Sequence, residues 1–183
     1  RSQRPTERVV LFGNGGGTSV LATDLFARQD LDISRFSDAT YAALEALELP
    51  PGTSIENPID TPVNSLNRDE GRVAEKILEE VYAGSEPDAI VMHLNLSAFA
   101  GRASPEVLEN LIAAALRAQE KFPGQAHFLL VLRSDGNVET DAFKHQTRES
   151  ALAAGIPVYD ELNVAALSLA ALARYERFRR GRD

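Results

Sequence analysis

The sequence predicts an α/β fold, a mostly parallel sheet of four or five strands with helices on both faces. Three observations carry that expectation: short continuous apolar runs, helical periodicities between them, and a glycine loop directly after the first run. Val9-Val10-Leu11-Phe12 is the first run and reads as a buried strand. It leads through Gly13-Asn14-Gly15-Gly16-Gly17-Thr18 into a helical pattern marked by Val20, Leu21 and Leu25.

Leu31 to Phe36 is expected as an edge strand. Pro50-Pro51-Gly52, Asn57-Pro58-Ile59-Asp60 and Thr61-Pro62 make a long, rigid connection between helices. Val73, Ile77 and Val81, beside Leu78 and Tyr82, place a helix over 69–83. Ala89 to Leu94 and His127 to Leu132 repeat the look of the first strand, and Ile156 to Tyr159 is a shorter fourth. Between them, Ser104 as N-cap and Pro105 at the first helical position open a helix whose face is Val107, Leu108, Leu111, Ile112 and Leu116. Thr140 is expected to cap a helix ending near Gly155. Leu162, Leu169, Leu172 and Tyr175 belong to a final helix.

Length and composition narrow the class. A chain of 183 residues with 44% apolar and 25% charged residues fits one folded domain over 1–183 and excludes a disordered or collagen-like chain. The longest apolar stretch, Val164 to Ala173, is too short to span a bilayer, so no membrane partner is expected. Nothing near the start has the form of a signal peptide, and the chain does not begin with Met, so it reads as a trimmed or excised piece. Without cysteine there is no disulfide, thiolate nucleophile or cysteine-bound metal, which suits a cytoplasmic protein. The net charge is −8, but eight arginines lie in basic tails at about 1–8 and 174–183. Without those tails the body holds 11 basic and 24 acidic residues, a balance that repels phosphate backbones and argues against nucleic acid.

Ligands of such sheets bind at the carboxyl ends of the strands, so the loop after Phe12 is the first candidate site. Gly15, Gly16 and Gly17 let the backbone approach a ligand, the free amides of the following helix favour an anion, and Thr18 and Ser19 add hydroxyl donors. With no Lys after the glycines and no strict G-x-G-x-x-G, neither an NTPase nor a dinucleotide site is supported, and a phosphate site remains. Asn57 and Asp60 offer polar groups near the sheet edge, where turn-making alone would also account for them. Asp24 reads as an ordinary surface residue of the first helix. His93 and His127 lie in strand patterns and His145 on a helix; no pair has metal-ligand spacing, so no metal is expected on this chain. Ser97 and Ser134 lack a nucleophile elbow, so a hydrolase triad is unsupported.

Four ordered motifs carry a family likeness. Asn14-Gly15-Gly16-Gly17 runs into Val20-Leu21-Ala22-Thr23-Asp24, followed by Leu47 to Pro51, Asn57-Pro58-Ile59-Asp60, and Ala154-Gly155-Ile156-Pro157-Val158-Tyr159. Together they resemble the NDP-forming acyl-CoA synthetases (ADP-forming acetate-CoA ligases). Within that family the chain looks like the second flavodoxin-like, ligase-CoA domain, related to the carboxyl-terminal domain of the succinyl-CoA synthetase β subunit. The likeness runs from about Val9 to about Tyr175. It implies a three-layer flavodoxin-like sandwich and a relay in which acid, CoA and ATP become acyl-CoA, ADP and phosphate through a phosphohistidine carried on another domain.

In that relay Asn14, Gly15, Gly16, Gly17, Thr18 and Ser19 would stabilise the phosphohistidine or phosphate, with Asn57 and Asp60 bracing the site. ATP, Mg and CoA would serve the full assembly, held by ATP-grasp and CoA-binding domains or subunits that this chain lacks. A flavodoxin-like module holding phosphate or FMN is the alternative, weakened by the absence of Trp and the scarcity of aromatics after strands, Phe99 excepted. A regulatory domain without catalysis is a further one.

Overall fold

The structure, a computed structural model, describes residues 5–66, 68–99 and 105–181. Five strands form one all-parallel sheet in the order β2-β1-β3-β4-β5, with β1 Val9–Gly13, β2 Ile59–Asp60, β3 Ala89–Asn95, β4 His127–Arg133 and β5 Val158–Tyr159. Helices α1 (Gly16–Ala27) and α7 (Leu162–Arg180) cover one face. On the other lie α2 (Asp38–Glu45), α4 (Arg72–Ser85), α5 (Pro105–Lys121) and α6 (Val138–Ala153), with the short α3 (Val63–Leu66) leading into α4. This is the three-layer, flavodoxin-like sandwich that the sequence predicts.

The central strands are buried on both faces, so they read as unbroken apolar runs. Alternate residues serve opposite layers. Val10, Phe12, Ile90, Met92, Phe128 and Leu130 join the core under α4 and α5, while Val9, Leu11, Val91, Leu129 and Val131 join that under α1 and α7. Complete burial of one such side chain contributes about 1.5–3 kcal/mol.

Four elements differ from the sequence expectation, each for a local reason. Leu31 to Phe36 is no strand: only Asp32 bridges to Arg8, because Ile59–Asp60 takes the edge of β1 beside Phe12 and Gly13. On α1, Val20 and Leu21 face outward, and Ala22 and Phe26 carry the buried face. The N-cap of α6 is Asn137, whose Oδ1 accepts from the Glu139 amide at 2.9 Å; Thr140 is a buried residue of the first turn. The helix predicted over 69–83 begins at Arg72 and runs to Ser85. Ser104 lies outside the described residues.

Candidate functional site

The strand order has a switch point between β1 and β3: the chain leaves β1 toward β2 on one side and leaves β3 toward β4 on the other. The crevice outside the carboxyl ends of these strands is where open α/β sheets bind ligands. Gly13 ends β1 there with Asn14 just beyond it, and His93 and Asn95 lie at the end of β3.

Gly13 pairs with His93 across the sheet, and a Cβ on it would lie 1.9 Å from the His93 carbonyl oxygen, so only glycine fits. Gly15 has φ +99° and serves as the N-cap of α1, a conformation that L side chains rarely adopt. A Cβ there would also meet the Asn95 side-chain Nδ2 at 2.5 Å. Gly16 and Gly17 form the exposed first turn of α1, with open space around Gly17. Their amides belong to the first turn, which has no intrahelical acceptors, and they carry the positive end of the helix dipole.

Polar side chains lock this loop from below. Asn14 is buried; its Oδ1 accepts from the Asn95 amide at 2.9 Å, and its Nδ2 donates to the Asn95 carbonyl at 3.4 Å. Asn95 Nδ2 donates to the Asn14 carbonyl at 2.8 Å and to Thr18 Oγ1 at 2.9 Å. Thr18 Oγ1 also accepts from Arg133 at 3.2 Å. Ser19 is buried, with Oγ 3.4 Å from the Gly15 carbonyl and 3.5 Å from His93 Nε2. His93 is fully buried and its Nδ1 has no hydrogen-bond partner among the described residues. Burial, aided by the charge of Arg133, pushes its pKa down to about 4, so the imidazole is neutral.

Asp60 and Arg133 face the loop with opposite charge. The Asp60 carboxylate lies beside the Gly15 amide; its Oδ1 has no hydrogen-bond partner among the described residues, and its Oδ2 lies 3.3 Å from where a Gly16 Cβ would stand. Burial raises the Asp60 pKa, and the nearby Gly15 amide offsets only part of that rise. Arg133, the last residue of β4, keeps Glu161 at 3.8 Å from its Nε while NH1 points to Thr18.

Asn57 sits elsewhere. Its Oδ1 accepts from the Leu11 amide at 3.0 Å, and its Nδ2 donates to the carbonyls of Val9 at 2.9 Å and Ser34 at 3.1 Å. The side chain thus stands in for a strand residue along the edge of β1, between the bridge from Asp32 and the pairing with Ile59, and it holds the strand that delivers the loop.

The structure therefore brings together Asn14, Gly15, Gly16, Gly17, Thr18, Ser19 and Asp60, and leaves Asn57 below them on the strand. Sequence reasoning missed Asn95 and Arg133. Each is the polar last residue of a buried strand, which is the signal that marks the ligand edge of a parallel sheet. His127 lies at the start of β4, His145 is exposed on α6, and Asp24 is exposed on α1. Phe99 is buried in the core beneath α5, away from the loop. Among the described residues no group of three or more His, Asp or Glu is placed to hold a metal, and no helix is long and apolar enough to cross a membrane.

No family model matches the chain. In sequence it is similar to the acetate-CoA ligase [ADP-forming] II subunit alpha of Pyrococcus furiosus, 26% identical over 122 residues, which are 67% of this chain and 26% of that protein. In fold it matches the dinucleotide forming acetyl-coenzyme A synthetase 1 of Ca. Korarchaeum cryptofilum in the apo form, with TM-score 0.70 and 21% identity over 96% of this chain and 35% of that one. The same synthetase in complex with phosphate and ADP matches with TM-score 0.68 and 20% identity over the same shares. A protein of Pyrococcus horikoshii OT3 matches with TM-score 0.68 and 20% identity over 93% of this chain and 36% of that one. The chain spans about a quarter of the curated relative and about a third of each solved neighbour. The sequence likeness to an ADP-forming acetate-CoA ligase subunit and the fold shared with an acetyl-CoA synthetase agree with the four motifs: the chain resembles the NDP-forming acyl-CoA synthetases.

Proposed function

We propose that the chain is a domain or small subunit of an NDP-forming acyl-CoA synthetase in the cytoplasm. Its part is to offer the N-terminus of α1 to the phosphohistidine or phosphate formed while acid, CoA and ATP become acyl-CoA, ADP and phosphate. The observation that carries this reading is the convergence at the switch-point crevice of the Gly16 and Gly17 amides, the Thr18 hydroxyl and the Arg133 guanidinium. A phosphoryl group takes donors of all three kinds, and a helix N-terminus and a guanidinium both favour its charge. Asn14, Asn95 and Ser19 hold the loop in shape, and Asn57 holds the strand behind it. Asp60 opposes an anion, so it sets how much negative charge the crevice tolerates.

His93 is unsuited to carry the phosphoryl group, because it is fully buried beneath the loop and neutral. The phosphorylated histidine is assigned to a partner domain, together with the ATP-grasp and CoA-binding parts that supply ATP, Mg and CoA. That assignment is supported by the share of the relatives that this chain spans and by the relative's description as a subunit.

The test is a tagged pull-down followed by an assay for ADP formation that depends on both CoA and acid, beside titration of the chain with inorganic phosphate followed by amide NMR. Shifts at Gly16 and Gly17 that weaken at least about tenfold in Arg133→Gln and strengthen in Asp60→Asn are expected, with loss of ADP formation in Gly16→Val. Unmoved glycine amides, or full activity in Gly16→Val, would overturn the reading.

A further inference from the structure

The groups around the glycine loop divide into donors and acceptors. Thr18 Oγ1 accepts from Asn95 Nδ2 at 2.9 Å and from Arg133 at 3.2 Å, so both of its lone pairs are engaged and its own proton is left to donate. The amides of Gly16 and Gly17, in the first turn of α1, have no intrahelical acceptor. The acceptors nearby are already taken. Asn95 Nδ2 occupies the Asn14 carbonyl, the Thr18 and Ser19 amides occupy that of Gly15, and Arg133 lies 3.5 Å from Asn95 Oδ1 and 3.8 Å from the Glu161 carboxylate.

Asp60 is the exception. Its Oδ2 stands 3.3 Å from where a Gly16 Cβ would be, and its Oδ1 is buried with no hydrogen-bond partner among the described residues. The backbone pins the residue in place: the Asp60 amide donates to the Ser54 carbonyl at 3.1 Å, the Ser54 amide donates back at 2.8 Å, and the Thr61 amide donates to the Gly13 carbonyl at 2.8 Å. β1, α3 and the first turn of α1 bring no charged side chain to it, and Asp24, the one charge of α1, lies about two turns further on. Glu56, just before β2, pairs with Arg35 at 3.8 Å. Asp60 is thus a carboxylate without a cation, and burial raises its pKa, the nearby Gly15 amide offsetting part of the rise.

This pattern distinguishes one oxyanion from another. Free phosphate at neutral pH keeps a proton, so it presents acceptor oxygens to the amides, Thr18 and Arg133 and a hydroxyl to Asp60. A phosphoryl group linked through one of its corners to carbon, oxygen or nitrogen loses its last proton at about pH 6 and has no donor left. Sulfate has none either. Each of these would set a lone pair against the Asp60 carboxylate in a partly desolvated crevice. We infer that Asp60 is the specificity-determining residue of the phosphate site proposed above, on which this step rests: its carboxylate accepts from the hydroxyl of free phosphate and rejects fully ionised oxyanions. The species held at the N-terminus of α1 is then inorganic phosphate and not the phosphohistidine.

The test is amide NMR of Gly16 and Gly17 at pH 8 and constant ionic strength, with inorganic phosphate, methyl phosphate and sulfate as probes. The native chain is expected to bind phosphate at least about tenfold more tightly than either of the others, because a site built around a ligand hydroxyl leaves its acceptor unpaired when that hydroxyl is missing. Asp60→Asn removes the charge and supplies a donor, so it strengthens all three, sulfate and methyl phosphate by about tenfold more than phosphate, and the preference disappears. Arg133→Gln removes charge without touching the acceptor, so it weakens all three alike. Equal affinity of the native chain for the three anions, or a preference that survives Asp60→Asn, would overturn this role of Asp60 and leave the phosphate site standing. Glycine amides that respond to none of the three, in the native chain or in Asp60→Asn, would overturn the phosphate site and this role with it.

Discussion

The side-chain amide of Asn95 donates to the Thr18 hydroxyl at 2.9 Å and so ties the last residue of β3 to the first turn of α1. The same nitrogen reaches the Asn14 carbonyl at 2.8 Å, and the Asn95 amide is met by Asn14 Oδ1. Asn95→Ala removes these two hydrogen bonds and the longer one that Asn95 Oδ1 accepts from Arg133 at 3.5 Å, and leaves the Asn14 carbonyl and Thr18 hydroxyl to find water. A loss of about 1–3 kcal/mol in urea unfolding is expected, with faster amide exchange at residues 14–18. Unchanged exchange there would show that the glycine loop keeps its shape without Asn95.

Two glycines of the loop separate backbone fit from ligand access. In Gly13→Ala the new methyl would stand 1.9 Å from the His93 carbonyl oxygen, so β1 and β3 must part. The expected loss is about 3 kcal/mol or more, read as a lowered urea midpoint. Gly17→Ala meets nothing within 4 Å and lies in the first turn of a helix, where alanine is preferred by up to about 1 kcal/mol. Gly17→Ala should therefore fold at least as well as the native chain. A destabilised Gly17→Ala would mean that the open first turn is packed in solution.

The parts of the fold that were legible are those where one physical demand dominates. Strands buried on both faces must be apolar throughout, so Val9 to Phe12, Ala89 to Leu94 and His127 to Leu132 announced themselves. The edge of β1 was not legible, because three unlike devices share it: one bridge from Asp32, the side chain of Asn57 and the two residues Ile59–Asp60. None of these has a periodicity to read. Val20 and Leu21 misled for a related reason, since an apolar residue on a helix signals burial only on average, and here Ala22 and Phe26 take the core. In the site, the glycines could be read from local sequence. Arg133 reaches Thr18 from 115 residues away, through a sheet register that only the assembled strands define.

Glu75 offers a test of the layer behind the sheet. It is 3% exposed on α4, and its carboxylate accepts from Arg117 at 2.7 Å and Lys121 at 3.2 Å on α5, with Arg72 at 3.5 Å. Burial alone would raise its pKa, but the hydrogen bonds and charges of Arg117 and Lys121 together outweigh it and hold the group below its ordinary value. The folded pKa is therefore depressed, so this stabilisation is present at neutral pH and is lost as pH falls from the ordinary glutamate range through the folded value. Glu75→Gln should cost about 2 kcal/mol at pH 7 and less in strong acid, where the native carboxylate is itself protonated. A cost that stays constant with pH would assign the loss to packing.

His93 governs a different pH window with the same sign. Its folded pKa is about 4, against 6.5 for an unburied histidine, because burial disfavours the charged imidazole and Arg133 adds repulsion. Between these two values the unfolded chain binds a proton that the folded chain refuses, so stability falls as pH is lowered from about 6.5 to about 4. A shift of that size corresponds to about 3 kcal/mol in all, of which about 2 is lost by pH 5. Urea unfolding at pH 7 and pH 5 reads the loss directly. In His93→Gln the neutral amide retains polar character behind Ser19 and cannot titrate, so the difference between the two pH values should shrink by about 2 kcal/mol whatever the variant costs at pH 7. A slope that survives the substitution would mean that His93 reaches water in solution, and that the loop of Gly15 to Ser19 opens far more readily than its hydrogen bonds to Asn95 imply.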